Sequence, residues 1–178
     1  MQAAKRLAFA ATVLLTIIGT ARLGLARDEQ LISEGRQTVA TYQRVSPGLE
    51  GFVKRSVGYA VFPGIGKGAY LVGGAHGTGV LFERGAPTGK VTVNQLSVGA
   101  QIGGEEFSEV IFFETPNALA DFKQGKAAFS AQASAVALSS GAAAVAKYRN
   151  GVAIFTQMKG GMMAEVSVGG QKFKYEPF

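Results

Sequence analysis

Residues 61–82 read VFPGIGKGAYLVGGAHGTGVLF, and seven glycines in this stretch (Gly64, Gly66, Gly68, Gly73, Gly74, Gly77 and Gly79) fall among apolar and aromatic side chains. Glycine weakens a strand unless a bulge, a sharp bend or a closely approaching backbone needs the missing side chain. The stretch therefore predicts strongly bent strands around a small core. The fold class that follows is α+β: a single sheet-rich domain, mainly antiparallel, with an N-terminal helix and a short internal helix. Such a scaffold suits binding better than chemistry.

The flanking sequence fills in the elements. Leu31, Gly35, Thr38, Tyr42 and Val45 recur at three- and four-residue spacing, predicting a helix over 27–45 that Pro47-Gly48 stops. Val57 to Phe62 reads as a strand turned by Pro63-Gly64, and 68–83 as extended chain with bends at Gly73-Gly74 and His76-Gly77. Gly85 to Gly89, with Pro87, reads as an exposed turn. Val91 and Val93 alternate in one phase and Leu96, Val98, Ala100 and Ile102 in the other, which predicts a bulge or break at Asn94-Gln95. Val110-Ile111-Phe112-Phe113 predicts a strand buried on both faces, and Asn117 to Gln124 a helix after Thr115-Pro116. The uncharged run 127–146 is Ala- and Ser-rich, too poor in large aliphatic residues for a membrane span, and suits helix or strand. Met162, Ala164, Val166 and Val168 lead to Gly169-Gly170, a hairpin turn that sets Phe173 and Tyr175 on one face.

The first 26 residues read as an export signal. Lys5 and Arg6 precede the apolar run 7–21, and Gly24-Leu25-Ala26 fits a small-x-small cleavage site. This divides the chain into a signal peptide, 1–26, and a domain, 27–178, and implies a periplasmic home or a peripheral position on an envelope membrane. Removing the signal takes Lys5, Arg6 and Arg22 and no acid, so the charge falls from +6 to +3. That excess permits attraction to anionic lipid and is no nucleic-acid signature. With no cysteine, the domain folds without disulfides.

Chemistry-bearing constellations are sparse. Gly64-Ile65-Gly66-Lys67-Gly68 lacks the phosphate-loop spacing and its hydroxyl residue, so it reads as a turn between strands. His76 is the single histidine and reads as a surface residue, with no ordinary metal site around it. Glu105, Glu106, Glu109 and Glu114 read as a solvated acidic face. A hydrolase would require Glu105 or Glu106 to meet His76. No catalytic residue, metal ligand or cofactor is assigned, and the chain is read as a non-enzyme.

The basic residues carry more. Between residues 36 and 67, Arg36, Arg44, Lys54, Arg55 and Lys67 face one acid, Glu50. Convergence of these five would make a lipid-headgroup site, with Leu31, Ile32, Val39 and Tyr42 supporting the helix or facing the membrane. Scatter over the surface is the competing reading.

The ordered motifs Gly58-Tyr59-Ala60-Val61-Phe62-Pro63, Lys67-Gly68-Ala69-Tyr70-Leu71-Val72-Gly73-Gly74, Gly77-Thr78-Gly79-Val80-Leu81, Ser97 to Glu105 and Val110 to Phe113, then Asn117-Ala118-Leu119 and Phe122, resemble the SYLF family, also called the Ysc84-type lipid-binding domain. With weaker similarity outside these motifs, the resemblance spans almost all of 28–175 and is that of a small secreted bacterial member. It implies a β-rich, non-enzymatic domain that associates with phosphoinositides or other anionic phospholipids; eukaryotic relatives are linked to membranes and actin. The expected partner is an anionic membrane surface. An envelope protein is the alternative partner, for a structural or protein-interaction module without lipid specificity. Before the final hairpin, where the family often has a serine- and lysine-containing strand, this chain keeps Lys159-Gly160 and departs around it.

Overall fold

A computed structural model describes residues 2–66, 74–96, 106–126, 135–159 and 170–178, with side chains described from Gly24 onward, Leu96 excepted. Helix α1 (Gln2–Val45) contains the helix expected over 27–45, and α2 (Leu49–Arg55) follows after the Pro47-Gly48 corner. The strands are β1 (Gly58–Gly66), β2 (Gly74–Glu83), β3 (Ala86–Leu96), β4 (Phe107–Phe113), β5 (Val136–Ala137), β6 (Val152–Met158) and β7 (Gln171–Pro177). Between them lie α3 (Pro116–Lys123) and a single turn, α4 (Ala142–Val145). The described strands form one sheet in the order β5-β6-β4-β1-β2-β3-β7, antiparallel except at β5–β6.

The sheet is rolled. β4 and β7 are four strand positions apart, about 19 Å in a flat sheet at the usual spacing. Yet Gln171 Nε2 of β7 donates to Glu109 Oε2 of β4 over 3.0 Å. Alternate residues therefore face either a closed interior or an outer helical layer. The interior holds Phe62, Ile65, Leu81, Val91, Val93, Phe107, Ile111, Phe113 and Phe173. Helix α3 seals it with Leu119 and Phe122, the Phe122 ring lying 4.8 Å from that of Phe113 and 4.9 Å from that of Phe173. Thr115 starts α3 as its N-cap, its side chain accepting from Ala118 N, and Pro116 occupies the first turn, where a missing N–H costs nothing.

On the outer face, Val61, Val80, Phe82, Val110, Phe112 and Phe155 meet Val39 and Tyr42 of α1 and Leu49 and Phe52 of α2. Two packed faces explain why every residue of β4 is buried, as its continuous apolar run predicted. Tyr42 fixes α1 to the sheet: its hydroxyl donates to the Ser108 carbonyl over 2.9 Å and lies 3.1 Å from Ser108 Oγ. Burial pushes this phenol's pKa up, so it stays a neutral donor. Tyr42→Phe is expected to cost about 1–2 kcal/mol, because Ser108 would keep a buried acceptor without its donor; the urea unfolding midpoint measures it.

Several local expectations are corrected. Pro63-Gly64 is no turn: β1 runs through it to Gly66, and the register with β2 steps from Val61↔Val80 to Gly64↔Thr78. Phe62 and Pro63 thus oppose Gly79 alone, a β-bulge, where a strand tolerates proline. By the same token Gly64-Ile65-Gly66 is strand and not a loop, and β2 passes through His76-Gly77 without a bend. The turn expected over 85–89 shrinks to Arg84-Gly85, both at positive φ (51° and 80°), and β3 starts at Ala86 and includes Pro87. Nor does β3 break at Asn94-Gln95: its register continues against β2 and β7, and Gln95 stays in phase with Val91 and Val93, facing inward. The alternation at 98–102, Phe129 to Ala133, the strand expected over 162–168 and Gly169 lie outside the described residues, while Gly170 is a turn residue at positive φ (76°). Within the Ala-rich run, β5 and α4 are the described elements.

Candidate functional site at a basic helical corner

The outer helical layer places the predicted site residues unequally. Val39 and Tyr42 are buried and Leu31 and Ile32 half-buried against the sheet, so these four hold α1 down. Arg36, Arg44, Lys54 and Arg55 are exposed, and Lys67 lies outside the described residues. Arg36 stands two helical turns before Arg44, about 12 Å along α1. Its guanidinium sits over the Phe82 ring, 5.5 Å from the centroid. The Arg55 guanidinium likewise lies 5.6 Å from the centroid of Phe52. Lys54 pairs with Glu50 over 2.6 Å, both exposed, which makes that bond weak.

The fold adds cations that no local pattern pointed to. Phe52 of α2 packs against Tyr148 with ring centroids 5.2 Å apart, and Ala143 N donates to Ser46 Oγ over 3.3 Å. These contacts dock segment 142–149 onto the α1–α2 corner. Exposed Lys147 and Arg149 thereby join Arg44, Lys54 and Arg55, beside Val145, an apolar side chain 71% exposed on α4. Among the described residues, Glu50 and exposed Glu114, whose charge reaches Tyr148, oppose these five cations, a net of +3.

The acidic residues do not form one solvated face. Glu106 is exposed and bonds Lys159 over 2.6 Å, and Glu114 is exposed, whereas Glu109 is fully buried inside the rolled sheet. The reason is strand phase: 107, 109, 111 and 113 point inward together. Burial pushes the Glu109 carboxyl up to about 7, against the lowering effect of its hydrogen bond from Gln171. His76 is exposed on β2, its Nδ1 2.9 Å from Asn94 Oδ1. Glu105 lies outside the described residues. An open polar cleft of about 450 Å³ lies between α1 and the sheet, lined among others by Glu34, Thr38, Ser108, Gln157 and Lys159.

Residues 94–176 match the model of the Ysc84 family, described as "Las17-binding protein actin regulator". This segment is a Ysc84 domain. The family is one of binding domains, in keeping with the resemblance read from the sequence, and the match runs from the end of β3 through β7. The Ysc84 segment thus holds Lys147, Arg149 and Glu109, while Arg36, Arg44, Lys54 and Arg55 precede it. No curated protein matches the chain.

Proposed function

We propose that this protein binds anionic membrane lipid peripherally, in a bacterial envelope, after export and removal of residues 1–26. One observation carries the reading: Tyr148 packs on Phe52 and Ala143 bonds Ser46, so the segment that bears exposed Val145, Lys147 and Arg149 docks on the α1–α2 corner that bears Arg44, Lys54 and Arg55. Each Lys or Arg near an anionic surface contributes about 1 kcal/mol, so a net of three gives weak, reversible, salt-sensitive attachment. Leu31, Ile32, Val39 and Tyr42 are committed to the sheet, so α1 attaches by charge and Val145 is the apolar contact.

The test is co-sedimentation of residues 27–178 with vesicles of phosphatidylcholine alone or mixed with phosphatidylglycerol, at low and physiological salt. The expected result is pelleting with the anionic vesicles that weakens with salt. Joint Lys147→Gln and Arg149→Gln substitution is expected to lower that affinity roughly thirtyfold, two cations at about 1 kcal/mol each. Unchanged binding by the double variant rejects the corner. Absence of pelleting rejects lipid and favours the second reading, a protein-interaction module, which the family's description as Las17-binding supports.

A further inference from the structure

Inside the rolled sheet, four polar side chains sit among apolar ones: Gln95 of β3, Glu109 of β4, Thr156 of β6 and Gln171 of β7, each at most 3% exposed. Gln171 Nε2 serves two of them, donating to Glu109 Oε2 over 3.0 Å and to Gln95 Oε1 over 3.4 Å. Three further oxygens, Glu109 Oε1, Thr156 Oγ1 and Gln171 Oε1, find no partner among the described residues. They are neighbours. Thr156 stands directly across from Glu109 in the β4–β6 register, so both side chains rise on one face. The Gln171 amide is already bonded to the same carboxylate.

Buried oxygens without partners are costly, and native interiors rarely leave three together. A guest that pairs with the ionised carboxylate brings positive charge, not more lone pairs. The residues facing Glu109 from β1, β3, β6 and β7 are Phe62, Gln95, Thr156 and Gln171, none charged; Tyr42, on the other side of the sheet, is neutral. One water brings two hydrogens and the Thr156 hydroxyl supplies its own, but neither brings a charge to balance the carboxylate. A hard metal cation takes oxygen ligands of all three kinds present here, carboxylate, hydroxyl and amide carbonyl. Charge decides its valence: a single carboxylate balances one positive charge, whereas a divalent ion would leave a buried net charge.

We propose that this nest binds one hard monovalent metal cation of the sodium class, through Glu109 Oε1, Thr156 Oγ1 and Gln171 Oε1.

Thermal unfolding of the full chain at pH 8 tests this, with NaCl replacing choline chloride at constant ionic strength, since choline is too bulky for the nest. With a Kd of about 50 mM, 500 mM Na⁺ raises the folded-to-unfolded ratio roughly elevenfold. Tm then rises by about 4 °C. Glu109→Gln, nearly isosteric, is expected to abolish the difference, Thr156→Val to reduce it, and Glu106→Gln, at the surface, to leave it intact. Coincident wild-type curves in the two salts overturn the proposal, and that comparison needs no variant to fold. A sodium effect that survives in Glu109→Gln overturns it as well, as does a rise given by 5 mM Ca²⁺ but not by Na⁺.

Discussion

Gly79→Ala is expected to destabilise the domain by roughly 3 kcal/mol or more, the scale of forced backbone movement in a packed sheet. Gly79 lies on β2 opposite the Phe62-Pro63 bulge of β1. A Cβ built there would run into the Val61 carbonyl oxygen and stand 2.8 Å from Phe62 Cδ1. The first obstacle is backbone and the second a fully buried ring, so neither can swing aside. Urea unfolding should show a lower midpoint with an unchanged slope, meaning the same fold at lower stability. Gly85→Ala is the useful contrast: nothing lies within 4 Å of its Cβ, and its φ of +80° alone opposes alanine. Its cost should stay near 1 kcal/mol. If the two variants prove equally stable, the close approach at the bulge is not what requires Gly79.

That bulge also shows how far the sequence was readable. Glycines crowded among apolar residues implied bent strands, and the rolled sheet bears this out. Pro63-Gly64, however, has the local chemistry of a turn, and only two strands pairing on either side of β1 make it a bulge. Asn94-Gln95 misled similarly: a polar residue at an inward position reads as a change of phase, but Gln95 stays inward because the interior holds Gln171 to bond it. Glu109 was legible in principle. Two residues from Phe107 and two from Ile111, it shares their phase, and the rule that acids lie outside overrode that signal. Lys147 and Arg149 gave no such sign, because their place beside Arg44 and Lys54 comes from Tyr148 packing on Phe52, a contact across 96 residues.

Glu109→Gln should make the domain more stable than the wild type at pH 8 in choline buffer, by up to about 3 kcal/mol, and should erase most of the pH dependence below that. The sign follows from the proton. In the folded chain the carboxyl holds its proton up to about 7, against 4.5 for an unperturbed glutamate. Between those values the folded state binds more protons than the unfolded one, so stability falls as pH rises. The stability is fully present below pH 4.5, is lost progressively through pH 7, and changes no further above it. The gap between 4.5 and about 7 corresponds to roughly 3 kcal/mol. Glutamine removes the charge and keeps the shape. Its oxygen can accept from Gln171 Nε2, and its own amide can donate to the otherwise unpartnered Gln171 Oε1. Urea midpoints from pH 4.5 to 8 measure the effect: the wild-type line should slope downward and the variant's stay nearly flat, the two converging at the acid end. Parallel lines would mean that Glu109 ionises with its ordinary pKa, and that water reaches the nest in the folded protein.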